Sequence, residues 1–277
     1  MDSTSDKTTV SELLDIWQEA FDSIVALGES LTPAEWGAQT PCPGWTVADV
    51  VAHVTDIEQL FGGEERPEHA PDWDVLTHVR NDFGRLTEVG VDFRRGRDPQ
   101  ILLAELKATI VRRRAQMEAL PEDAQVLGPN GMTSLDRFLR TRTFDTWVHE
   151  QDIRWAIGRD GGWASNAAGI AFTQMVKALP YVWGHNVKAP VGSTLVLTII
   201  GPDLHHESVV TVGEDGRGSA AASAEDPDVT ADMTWAAFMR LSCGRVALDD
   251  PWLADKVELS GDKELSERLL PAMSFTP

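Results

Sequence analysis

Apolar residues recur at about every 3.6 positions before Pro190 and at every second position after Gly192, a single change of period that predicts a helical part followed by an α+β part. Leu13, Leu14, Ile16, Trp17, Ala20, Phe21, Ile24, Val25 and Leu27 predict a core-facing helix from Val10 to about Gly28. Pro41, Pro43 and Gly44 break the chain. Thr46 then stands as an N-cap with Asp49 three residues on, and a second helix follows from Val47 to about Glu64. After a connection at Pro67 and Pro71, Trp73 to about Phe93 and Ile101 to about Leu120 read as a helical pair broken around Gly96, Asp98 and Pro99. Pro121 to Met132 reads as loop. Thr133 or Ser134 can cap a long helix that runs to Ile157 and ends at Gly158. About four long helices before residue 160 imply a bundle.

One more helix, Asn166 to about Trp183, precedes a linker at Pro190 and Gly192. Strands are expected at Thr194 to Ile200, Ser208 to Val212, Val229 to Met233 and Val257 to Leu259, with helices at Trp235 to Ser242 and Asp262 to Leu270. The expected organisation is a helical bundle over residues 1–160, a connecting helix and linker over 161–189, and a small α+β domain over 190–277.

Charge and cysteine content narrow the function. With 24 basic against 44 acidic side chains, a formal net charge of −20, binding that works by neutralising phosphates is disfavoured, so nucleic acid is not an expected partner. Cys42 and Cys243 alone make neither a disulfide framework nor a Cys-rich zinc site. No basic-then-apolar leader opens the chain and no apolar run is long enough for a membrane span. A soluble cytoplasmic protein is the expectation.

Phe138, Arg142, Asp145, His149, Asp152 and Ala156 fall on one stripe of the long helix, because steps of three and four return to the same face. Arg140, Thr143, Glu150, Gln151 and Arg154 gather on the other side as an expected solvent face. A carboxylate in a bundle core needs a partner, either Arg142 or a cation. One reading is a buried Arg142, Asp145, His149, Asp152 network that sets helix register. The other is a metal site: carboxylate and imidazole four residues apart can share a divalent ion, and His53 of the second helix can supply a third donor, leaving a fourth position open.

The other histidines are weaker candidates. His205 and His206 point to opposite sides of a strand, His69 lies in the Pro-rich connection, His78 reads as a helix-surface residue and His185 follows a helix C-terminus. Nucleophile-elbow, P-loop, H-E-x-x-H and dinucleotide motifs are absent. Arg94-Arg95 and Arg112-Arg113-Arg114, interleaved with Glu88, Glu105 and Glu118, read as solvated helix faces. Trp17, Trp36, Trp147, Trp155 and Trp235 fall at core spacings, and both cysteines read as packing residues.

Thr40-Pro-Cys-Pro-Gly-Trp-Thr-Val-Ala-Asp-Val-Val-Ala-His53 and Phe144-Asp-Thr-Trp-Val-His-Glu-Gln-Asp-Ile-Arg-Trp-Ala-Ile-Gly158 together resemble the mycothiol-dependent maleylpyruvate isomerase family, over about residues 8–160. The resemblance implies an N-terminal DinB-like four-helix bundle holding a divalent metal, usually zinc, on His53, Asp145 and His149. The isomerase has Glu at the position of Asp145. Gly244-Arg245 after a helix and Leu259-Ser-Gly-Asp-Lys-Glu-Leu near the end are similar to the family's second domain, a small α+β unit like sterol carrier proteins. There the resemblance implies a catalytic arginine, Arg245 by position, with Arg240 as its rival.

The function expected on these grounds is a metal- and mycothiol-dependent thiol transferase or isomerase acting on an electrophilic small molecule. Asp152 would orient a ligand, and Arg245 would hold a substrate carboxylate. A metal-dependent hydrolase on the same bundle, or a carrier of apolar ligands without catalysis, are the alternatives. The electrophile and the oligomeric state have no readable code.

Overall fold

The computed structural model describes residues 8–276, which divide between Ala171 and Phe172 into two compact units. The first is helical: α1 (Val10–Ser30), a single turn α2 (Pro33–Trp36), α3 (Val47–Phe61), α4 (Asp82–Arg94), α5 (Pro99–Glu118) and α6 (Leu135–Ala156). Its start signals are chemical. Thr9, Thr32 and Thr46 each close a capping box with an acid three residues on, and Asn81, Asp98 and Ser134 cap α4, α5 and α6.

Leu13, Trp17, Phe21 and Ile24 of α1 meet Val47, Val50 and Val54 of α3, Leu102, Leu106 and Ile110 of α5, and Leu135, Phe138, Leu139 and Ile153 of α6 in one apolar core. Helix α3 is enclosed: every residue from Asp49 to Glu58 is buried, acids included.

Two expectations change here. Trp73 to Asn81 is irregular, and α4 begins only after the Asn81 side chain accepts from Gly84 N–H; Trp73 lies under the Arg85 guanidinium, 4.9 Å from its ring centroid. The expected loop at Pro121 to Met132 contains a hairpin, β1 (Gln125–Gly128) with β2 (Gly131–Ser134), closed by the two residues Pro129 and Asn130.

Helix α7 (Asn166–Tyr181) continues into one π-helical turn, Val182–Asn186. The second unit then builds a five-stranded sheet in the order β5 (Gly218–Ala221), β4 (Leu204–Val212), β3 (Thr194–Gly201), β6 (Val229–Thr234), β7 (Val257–Gly261). All neighbours are antiparallel except β3 and β6. Leu195, Leu197 and Ile199 of β3 and Val229, Ala231 and Met233 of β6 alternate into a buried face, and Trp235 and Phe238 of α8 (Trp235–Ser242) are also buried. Helix α9 (Lys263–Ala272) follows β7.

Gly90 of α4 lies against α3, where a Cβ would overlap the Asp56 carboxylate, itself held by Arg94 at 3.0 Å and Arg66 at 2.8 Å. Alanine is the better helix former by about 1 kcal/mol. Gly90→Ala is nonetheless expected to destabilise the protein by about 1–3 kcal/mol, read by urea unfolding, because the carboxylate has nowhere to move.

Candidate metal centre

The turn before α3 is tied to itself. Gln39 donates through Nε2 to the carbonyls of Thr40, Cys42 and Trp45, and Thr40 N–H and Oγ1 both donate to Trp45 O. That turn presents Cys42 and Trp45, and α3 presents His53 two turns further on. Helix α6 adds Asp145, His149 and Asp152 on one stripe.

Asp145 and His149 share one face of α6 as their spacing implies, and His53 of α3 converges on them. One donor atom each of His53, Asp145 and His149 lies within 4.8 Å of the others. His53 Nε2 is 3.9 Å from Asp145 Oδ2, and His149 Nε2 is 3.8 Å from Asp145 Oδ1. These separations are too long for hydrogen bonds and suit donors arranged around a common ion. Both imidazoles are buried, whereas the Asp145 side chain is 33% exposed, so the cluster is accessible at its carboxylate.

His149 is oriented from behind. Its Nδ1 lies 3.0 Å from Asp152 Oδ2, and the Cys42 thiol donates to the same oxygen at 3.1 Å. A carboxylate that fixes one ring nitrogen leaves the other as the donor, the usual support of a metal-bound histidine. His53 Nδ1 is buried and makes no hydrogen bond among the described residues. Cys42, His149 and Asp152 also fall within 4.8 Å of one another, but at hydrogen-bonding contacts.

Electrostatics suit metal binding. Burial pushes His53 below its ordinary 6.5, against the opposing pull of Asp145, and so keeps the ring neutral. Burial would raise Asp145, but Arg142, 2.7 Å away, together with His149 and His53, holds its carboxyl well below the ordinary 3.8. Arg142 Nε in turn donates to Glu58 at 2.8 Å, and Arg113 reaches the other Glu58 oxygen at 3.2 Å. Glu58 is fully buried. The donor set of two imidazoles and one carboxylate fits a divalent metal ion.

Several expectations are corrected. The supposed solvent face of α6 is covered: Thr143, Glu150 and Gln151 are buried, with Glu150 accepting from Ser23 of α1 and Gln151 donating to Gly161 O. Arg94 and Arg113 are buried in ion pairs, not solvated. His78 is not helical, and its Nε2 lies 3.0 Å from Glu88. Cys42 bonds to Asp152 where packing alone was expected. Glu58 has no counterpart among the expectations, although an acid within the apolar run of α3 is the available signal, and Glu88, expected on a solvated face, is buried in α4. In the second unit, Arg245 follows Gly244 (φ +62°) at the end of α8 and donates through Nη1 to Cys243 O; the Arg240 guanidinium lies 4.2 Å from the Trp252 ring centroid.

Residues 17–154 match the family model described as "Mycothiol maleylpyruvate isomerase N-terminal domain". Among solved structures, the mycothiol-dependent maleylpyruvate isomerase is similar at 17% identity and a TM-score of 0.59, over 94% of this chain and 96% of that one, which shows a shared fold. A histidine-to-alanine mutant of that isomerase aligns over the same shares at 16% identity and a TM-score of 0.54. A sterol carrier protein 2 like 2 from Aedes aegypti aligns with 37% of this chain and 96% of its own at 19% identity, with a TM-score of 0.30. No curated protein sequence matches the chain. No helix among the described residues is long and apolar enough to cross a membrane.

Because the folded state lowers the Asp145 pKa, the stability that its charge contributes is complete above the unfolded value and is lost as pH falls through the folded one. The stability difference between metal-free wild type and Asp145→Asn is therefore expected to be full at pH 6 and to shrink as pH falls below 3.8. Urea unfolding across that range checks it, and a difference independent of pH would remove the Arg142–Asp145 pair from the account.

Proposed function

We propose, for a chain whose residues 17–154 match the mycothiol maleylpyruvate isomerase N-terminal domain, that it is a metal-dependent enzyme using the thiol of mycothiol against an electrophilic small molecule. The observation that carries this reading is the convergence of His53, Asp145 and His149 within that domain. His53, Asp145 and His149 would hold a divalent ion, zinc by donor type, which when bound would lower the pKa of a coordinated thiol.

The chain's own residues do the rest. His53 and His149 each offer one ring nitrogen, and burial favours the neutral form of His53. Asp145 offers one carboxylate oxygen while Arg142 engages the other. Asp152 accepts from His149 Nδ1 and fixes its tautomer, which makes it a positioning residue. Arg245 is the proposed holder of a substrate carboxylate, since a guanidinium binds both of its oxygens. In isomerisation the thiolate adds to a conjugated carbon–carbon double bond, the new single bond rotates, and expulsion of the thiolate restores the double bond with no change in composition. In an S-transferase the new carbon–sulfur bond is kept.

A carrier reading has one observation of its own, a cavity of about 450 Å³ in the second unit lined by Leu248, Leu253, Val257, Leu259 and Leu270 with Asp249 and Asp250.

The test is elemental analysis of protein purified without chelators, with turnover assayed plus and minus mycothiol. Wild type is expected to hold about one equivalent of zinc, and His149→Ala to lose both the metal and thiol-dependent turnover. Asp152→Asn should weaken metal affinity about 10–100-fold. Arg245→Ala should raise KM for a carboxylate-bearing electrophile with the metal retained. Turnover independent of mycothiol would favour a hydrolase, and wild type that cannot be loaded with metal would favour the carrier.

A further inference from the structure

The two imidazoles of the centre are supported by different means. His149 is held through Nδ1 by Asp152, but His53 Nδ1 has no hydrogen-bond partner among the described residues, so nothing of that kind fixes its rotation. The edge-on His149 ring, 4.8 Å away, meets it on one side, and the indole of Trp45 lies against it as well. The indole centroid is 4.8 Å from the His53 ring at an interplanar angle of 39°, and 6.1 Å from the His149 ring.

Trp45 is itself held at its far edge. Its Nε1 donates at 2.8 Å to Glu88, a carboxylate only 1% exposed. The same carboxylate meets His78 Nε2 at 3.0 Å and accepts from Arg95 Nη2 at 2.6 Å. Arg95 also reaches Asp49 of α3 at 3.2 Å. Three donors from three segments thus converge on one buried acid, and a buried acid so satisfied has little freedom to move. The His78 ring packs on Gly44, the residue before Trp45, where φ is +76° and a Cβ would overlap the ring. The indole is therefore fixed by a hydrogen bond at Nε1 and by the packing of its own turn.

We infer that Trp45 is a positioning residue for His53, held in place by Glu88. The inference rests on the reading of His53, Asp145 and His149 as metal ligands. With no hydrogen bond at Nδ1, packing against the indole takes over the orienting part that a carboxylate plays for His149. Glu88 acts one step further out, through Trp45.

The test uses the full chain loaded with cobalt(II), whose d–d spectrum reports ligand geometry. Trp45→Leu is expected to weaken cobalt binding about 10–100-fold and to change the d–d bands, the size of effect known for residues that support metal ligands. Trp45→Phe keeps an aromatic face while losing the Nε1 donor, and is expected to fall between wild type and Trp45→Leu. It also serves if the leucine variant does not fold. A merely structural tryptophan would lower stability while leaving the affinity within about twofold and the bands unchanged, and that result overturns the inference.

If wild type binds no cobalt, the metal reading fails, and the positioning claim is read from the His53 imidazole signals in NMR of the metal-free protein. One sharp set in wild type that broadens or doubles in Trp45→Phe supports it. Identical sharp signals in both overturn it.

Discussion

Glu58 is a carboxylate with no exposure to solvent, and it exists in this bundle only because two guanidinium groups face it. Arg113 of α5 takes one oxygen and Arg142 of α6 the other, while Glu58 itself belongs to α3. An uncompensated charge at that depth costs several kcal/mol, so α3, α5 and α6 can pack only in the register that brings the three side chains together. Arg142 then passes the constraint on to Asp145 at 2.7 Å. His53 lies on the same helix as Glu58, and His149 on the same helix as Arg142. The pair that sets the register of α3 against α6 thereby sets the spacing of the candidate ligands.

A second network works on another side of α3. Arg94 of α4 meets Asp56 of α3 and Glu105 of α5, and Arg66 joins Asp56 from the connection after α3. Here the sequence misleads. A run of arginines among acids states charge but not depth, and the ordinary reading is a wet surface. Arg94 and Arg113 depart from it because each has its acids on neighbouring helices. The same holds for α6, where Glu150 and Gln151 look like solvent-facing residues until α1 and the segment around Gly161 cover them. Periodicity identified the helices and most of the strands. It carried no information on which polar faces a further element would close over, nor on the parallel pairing of β3 with β6, which no local signal encodes.

Legibility at the candidate centre follows contact distance along the chain. Asp145, His149 and Asp152 were readable because four- and three-residue steps on one helix guarantee a shared face. His53 was readable because its turn and helix start form a local motif. Their supports were not. Cys42 meets Asp152 across 110 positions, Arg142 meets Glu58 across 84, and Trp45 meets Glu88 across 43. Each is an ordinary residue type in an ordinary place, and only the fold brings it into contact.

Each proposed ligand has its own supporting contact, two of them involving the turn before α3. His149 is fixed by Asp152 and, through it, by the Cys42 turn. Asp145 is fixed by Arg142 and the Glu58 pair, and His53 is packed against Trp45. These supports hold the three donors near one another in the folded chain, so the ordering cost of assembling the set is met in folding rather than in binding. The arrangement also suits the short reach of an aspartate such as Asp145. A short carboxylate can serve only if its helix is already placed correctly, and the buried Glu58–Arg142 pair is what places it. The charge compensation that Arg142 provides weakens the pull of Asp145 on a cation, so this centre would depend on geometric preorganisation more than on net negative charge, even in a chain as acidic as this one.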